Sequence, residues 1–277
     1  MTKMKPYIKN FNELIPFERA IINAHPERLI EAVAEGKKDI GKSMFCYKIM
    51  TRIFQYLEGI HLDDAYLIAL DHFKFTIPET MEAIDKVIDN TDYDNILEYD
   101  KENQYRILTI DDAGTHMGKY KFYTDVASID EIQKKFDVIR DVTSGLLLTT
   151  PTLDNLTTTF RDNPGLNTIE ILYDKQGDTR YGRIINIREK KQKWARKGRR
   201  IYPPVRTSIH IDKWAYAEYK AKKRRAIKKM NDETKKSGKN DFNKMYNIAK
   251  KFNVKMTKKD FAEKLGIRNE MVENNFL

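Results

Sequence analysis

Cysteine is almost absent from this chain. A single residue, Cys46, occurs among 277, so no internal disulfide can form and a reducing, intracellular setting is expected. Cys46 falls in an apolar stretch of a helical pattern and reads as a packing residue rather than a reactive thiol. Long hydrophobic runs are missing too. No stretch reaches the roughly 18 uncharged apolar residues that a membrane span needs. Met1-Thr2-Lys3-Met4-Lys5-Pro6 leads into polar sequence and not into the apolar core of a signal peptide. These absences point to a cytoplasmic protein with no membrane partner. No internal repeat is visible.

What is present is enough chain for one or two domains, with an ordinary hydrophobic content of 40%. The net charge of +10 is unevenly spread. Residues 1–173 hold 20 lysines and arginines against 29 aspartates and glutamates, whereas 174–277 hold 31 against 12. The densest part, 174–230, has 20 basic and 5 acidic residues. An acidic first part joined to a basic second part suggests a polyanion partner for the second, with nucleic acid the leading candidate. The rival explanation is solubility or a lysine-biased proteome.

Strands and helices alternate along the first part. Residues 1–28 read as a helical lead-in, interrupted at Pro16 and Pro26. The apolar run 29–34 fits a buried parallel strand, and 43–57 has helical spacing that stops near Gly59. Residues 65–70 are ambiguous between strand and helix. Thr76-Ile77-Pro78-Glu79 has the cap chemistry that opens a helix through about Ile88. Strands are expected at 106–110, 145–150 and 168–173, and helices at 128–142 and 153–160. Such alternation implies βαβ units and a parallel sheet covered on both faces. Beyond Tyr173, residues 183–188 and 201–211 look like two strands around a very basic turn. Residues 214–230 form a basic helix, 231–240 a polar linker, and 241–277 a small helical unit.

Gly36-Lys37-Lys38-Asp39-Ile40-Gly41-Lys42-Ser43 matches glycine, four residues, Gly-Lys-Ser in full. In that pattern glycine lets the backbone approach phosphate oxygens, and consecutive N–H groups at a helix N-terminus cradle the anion. Lysine reaches the outer phosphates, and the serine hydroxyl ligates Mg²⁺. An apolar run precedes the motif and a helical pattern follows it, as the chemistry requires. The nucleotide contacts assigned are Gly36 to Ser43, Met44 included, with Lys42 also catalytic. Ile107-Leu108-Thr109-Ile110-Asp111-Asp112 is the expected partner: an apolar strand delivering Asp111 to the metal, with Ser43, and Asp112 to the attacking water. At the end of the strand 145–150, Thr150 is assigned as a polar sensor of the γ-phosphate, with Thr149 next in line; a strand-end threonine also caps turns. Arg161 reads either as a finger completing a neighbouring subunit's site or as a surface ion pair. His116 and Lys119 lie in a glycine-bracketed loop just past the carboxylates.

The order of these motifs resembles the ASCE division of P-loop ATPases, which includes the AAA+ and RecA-like proteins. Within it, Ile110-Asp111-Asp112-Ala113-Gly114-Thr115-His116 followed by Lys119-Tyr120 resembles ATPases of archaeal plasmids and viruses. Those are similar to replication initiators and helicase loaders. The resemblance covers roughly residues 30–175. It implies a three-layer α/β fold with a mainly parallel central sheet and the P-loop strand central, ATP and Mg²⁺ as ligands, ATP hydrolysis, and assembly into homo-oligomers. On this reading 29–173 is the ATPase core and 174–230 a basic extension of β-hairpin and helix standing where an AAA+ lid would be.

The extension carries its own chemistry. Around Trp194, the cations Lys193, Arg196, Lys197, Arg199 and Arg200 could grip phosphates while the indole stacks on a base. Residues 261–272 resemble a helix-turn-helix that would carry Arg268 and Asn269 toward bases, with a plain helical hairpin as its rival. Three functions follow from the sequence: a DNA-associated ATPase of a mobile element, a DNA-translocating or packaging motor, and a nucleotide-gated adaptor that hydrolyses little.

Overall fold

A computed structural model of the chain describes residues 8–24, 28–89, 105–113, 134–135, 139–156, 161, 163, 165–176, 181–189, 200–229 and 247. The chain divides into two compact units, Met1–Lys220 and Ala221–Leu277. The first holds all the described strands. Of the second, the described residues are the end of one helix, to 229, and Asn247.

Seven strands form one sheet: β1 (Ile30–Glu35), β2 (Phe73–Lys74), β3 (Leu108–Ile110), β4 (Gly145–Thr150), β5 (Asn167–Tyr173), β6 (Gly182–Glu189) and β7 (Val205–Ser208). Their spatial order is β2-β3-β4-β1-β5-β6-β7. Every pairing from β2 to β5 is parallel, whereas β5–β6 and β6–β7 are antiparallel. The fold is therefore α/β with a mostly parallel sheet, as expected. The described helices are α1 (Pro16–Ala24), α2 (Lys42–Glu58), α3 (Leu62–Asp71), α4 (Ile77–Asp89), the single turn α5 (Ile139–Val142) and α6 (213–229).

Side-chain alternation on the strands sorts the helices onto two faces. Leu108, Ile110, Leu146, Leu148 and Val33 point to a cluster with Ile84 and Val87 of α4 and Ile139 and Val142 of α5. Thr109, between Leu108 and Ile110, points the other way, and its hydroxyl reaches the sulfur of Met50 on α2. Gly145 lies on that second face, where a Cβ would meet Ile21 of α1 at 2.8 Å. Ala32, Val33 and Ala34 of β1 are fully buried, which explains the unbroken apolar run of a central strand.

Three expectations change. The ambiguous segment 65–70 lies within helix α3, whose apolar side buries Ala65, Tyr66, Ala69 and Leu70. A two-residue strand, β2, follows it and forms one edge of the sheet. The segment 153–160 begins with a 3₁₀ turn, Leu153–Asn155, and 157–160 lie outside the described residues. The basic hairpin is no separate extension, because β6 and β7 continue the sheet past Tyr173 and bury Ile185 and Ile187.

Candidate functional site

The end of β1 runs into a tight loop before α2. Gly36 has φ 141° and Gly41 φ 101°, with Asp39 between them at 64°. Gly41 caps α2 in left-handed backbone. A side chain there would be strained by φ, and its Cβ would sit 2.1 Å from Cδ1 of Ile209. The loop closes on its own lysine: Lys42 Nζ donates to the carbonyls of Gly36 at 2.8 Å and Lys37 at 2.9 Å. Burial lowers the pKa of this ammonium, against the pull of Asp112, Asp111 and Asp39. Ile40 of the loop is buried, and its carbonyl accepts from Nε of Arg183 on β6 at 2.8 Å.

Asp111, 1% exposed, is the hub of the site. Its Oδ1 accepts from Ser43 Oγ at 2.6 Å and from Thr149 Oγ1 at 2.7 Å. Its Oδ2 accepts from the hydroxyl of Tyr219 on α6 at 2.8 Å. Asp112 turns away from the strand with φ 49°, a conformation that Asp tolerates better than most residues. Its N–H donates to Thr149 Oγ1 at 2.9 Å, so one threonine hydroxyl fixes both acidic residues. Of the acids around Lys42, Asp112 acts on it most strongly.

The sequence-assigned residues divide clearly. Lys42, Ser43, Asp111 and Asp112 come together. Thr149, not Thr150, is bonded to both acidic residues. Thr150 points to the opposite face, where its hydroxyl donates to the carbonyl of Thr152 at 2.9 Å and caps the turn after β4. Arg161 stands 4.0 Å from Asp154. Arg200 is exposed, and its backbone pairs with that of Arg188 in β6. His116, Lys119, Lys193, Trp194, Arg196, Lys197, Arg199, Arg268 and Asn269 lie outside the described residues. Cys46 is fully buried on α2, and burial raises its thiol pKa, which suppresses the thiolate.

Tyr219, Arg183 and Ile209 were not anticipated. A signal existed for Tyr219: Ile211, Ala215 and Tyr219 recur every four residues, and all three are buried. That spacing marks a buried helix face but does not say that Asp111 lies against it.

The donor set suits magnesium. A serine hydroxyl and a carboxylate are hard oxygen ligands. Among the described residues no group of three or more His, Cys, Asp or Glu could hold a metal by itself.

No described helix is long and apolar enough to cross a membrane. No known protein family and no solved structure matches the chain. It is 27% identical over 150 residues to an uncharacterized protein, B-251, of Sulfolobus spindle-shape virus 1. The match covers 54% of each chain, so this protein spans about half the length of the curated relative it matches.

Proposed function

We propose that this protein binds Mg-ATP at the loop 36–43 and hydrolyses it, and that it works on DNA in the replication, maintenance or transfer of a mobile element. One observation carries the nucleotide reading. Ser43 and Asp111, 68 residues apart in sequence, meet at 2.6 Å beside a glycine-bounded loop into which Lys42 points. Mg²⁺ would be held by Ser43 Oγ and the Asp111 carboxylate, and would supply charge neutralisation on the phosphates. Lys42 would exchange two loop carbonyls for phosphate oxygens. Asp112 would orient a water and take its proton, as the water's oxygen bonds to the γ-phosphorus and the bond to the leaving diphosphate oxygen breaks. The products are ADP, phosphate and a proton.

DNA enters through the charge reversal along the chain and the basic run on α6, from Lys220 to Arg225. The viral origin of the relative supports a mobile-element setting. Homo-oligomer assembly with Arg161 acting on a neighbour belongs to the same proposal.

The test is ATP turnover with Mg²⁺, with and without single- and double-stranded DNA, across a salt series. Lys42→Ala is expected to lower turnover by about a hundredfold or more, the scale for removing a preorganised charge contact. Asp112→Asn is expected to bind nucleotide and not turn it over. Full turnover by Lys42→Ala would sink the proposal. DNA affinity that does not fall with salt would remove the basic region as a phosphate-tracking surface.

A further inference from the structure

Tyr219 reaches the candidate metal ligand from a helix that carries none of the nucleotide motifs. Its ring is 5% exposed. It is held between Phe73, Phe75 and Tyr47, with ring centroids at 5.5, 5.3 and 6.0 Å. Such packing leaves the ring little freedom, and its hydroxyl donates to Oδ2 of Asp111, 2.8 Å away. Ser43 and Thr149 both donate to the other oxygen, Oδ1. The last torsion of an aspartate is broad and two-fold. Two donors on Oδ1 resist rotation about that torsion less than donors on both oxygens do, and Tyr219 supplies one on Oδ2.

We propose that Tyr219 is a positioning residue for Asp111, locking the carboxylate plane in the orientation that receives the metal. The inference rests on the Mg-ATP reading of the site. Partners of this kind orient a metal ligand without touching the metal, and their loss typically costs about 10–100-fold in metal affinity.

The test uses Tyr219→Phe, which keeps the ring and removes the hydroxyl. Affinity for a fluorescent ATP analogue is measured in the full chain, first in EDTA and then against rising Mg²⁺. Affinity in EDTA is expected to stay within about twofold of wild type, while the Mg²⁺ concentration for half-maximal enhancement rises by about tenfold or more. Phe75→Leu serves as the packing control. It removes a ring contact and keeps the hydroxyl, so it should lower Tm without moving the Mg²⁺ dependence. An unshifted Mg²⁺ dependence in Tyr219→Phe overturns this inference alone, and so does an equal shift in Phe75→Leu. Wild-type protein that binds no nucleotide, or binds it equally with and without Mg²⁺, overturns the Mg-ATP reading itself, and this inference with it. Should Tyr219→Phe fail to fold, 3-fluorotyrosine placed at position 219 gives a second readout by fluorine NMR. Its resonance is expected to move when Mg²⁺ joins the nucleotide complex, and a fixed resonance overturns the proposal.

Discussion

Thr149 and Thr150 show how one residue's difference in register separates two roles. In the parallel pair β3–β4, Leu108 faces Leu146, Thr109 faces Leu147 and Ile110 faces Leu148. The next step sets Asp111 beside Thr149, on the face toward α2. Thr150 falls on the other face with Glu35, its register partner on β1. Thr149→Val is therefore expected to lower turnover at least about tenfold by freeing both acidic residues, whereas Thr150→Val should cost only about 0.5–1.5 kcal/mol of stability, the net worth of one hydrogen bond. Steady-state kinetics and urea unfolding separate the two. The sequence singled out this pair, and only strand register could tell which of the two side chains meets the acidic residues, because period-two alternation is decisive once the partner's phase is known. Glu35 supports a second prediction. Burial raises its carboxyl pKa, and neighbouring Glu170 and Asp154 push it further, against one N–H from Leu153. A raised folded-state pKa means the folded protein holds this proton more tightly than the unfolded chain does. Its stabilising contribution is complete below the ordinary value of 4.5 and is lost as pH rises through the folded value. Glu35→Gln keeps an acceptor for Leu153 and removes the charge. It should raise Tm by a few degrees at pH 8 and have little effect at pH 4.5, as differential scanning fluorimetry would show.

The loop between β1 and α2 and the segment after β7 depend on each other. Ile209 is buried against Gly41, which has neither a Cβ nor an ordinary φ. Lys48 of α2 donates to the carbonyl of Ser208, the last residue of β7. Gly41→Ala should therefore be destabilising through both backbone strain, about 1–3 kcal/mol, and collision with Ile209. Ile209→Ala alone should cost about 2–5 kcal/mol as a buried truncation. The double variant is expected to lose less than the sum, since the truncated side chain makes room for the added methyl. Urea unfolding of the three variants checks this; strict additivity would mean that the two residues do not share the contact. Legibility also varied by element. Long helices with clear caps, α2 and α4, were readable to within a residue or two. The segment that became α3 was not, because a short apolar run carries no decisive period. A strand as short as β2 carries no pattern at all, and its two residues are ordered by pairing with Thr109 and Ile110.

At the scale of the molecule, the change of charge after Tyr173 suggests a domain boundary that the sheet does not respect. Composition records which residues meet solvent, whereas the core follows the apolar positions, and Ile185, Ile187, Ile209 and Ile211 remain buried beyond the charge reversal. The contact division falls instead between Lys220 and Ala221. A fragment ending at residue 173 would expose one side of β5 and remove Arg183, Ile209 and Tyr219 from the candidate site. It is expected to aggregate or bind a hydrophobic dye without cooperative unfolding. A fragment ending at 220 keeps the sheet whole and should unfold in a single transition by calorimetry; cooperative folding of the shorter fragment would restore the boundary at Tyr173. The antiparallel hairpin beside the loop also bears on how such genes can be reshuffled. Arg183 and Ile209 sit on the backbone of the loop 36–43 itself, so a crossover anywhere between 174 and 219 would pair one parent's loop with another parent's lining. Chimaeras between distant relatives should survive only where the breakpoint falls beyond residue 220, leaving the tail as the portable cassette and the hairpin as inherited property of the core.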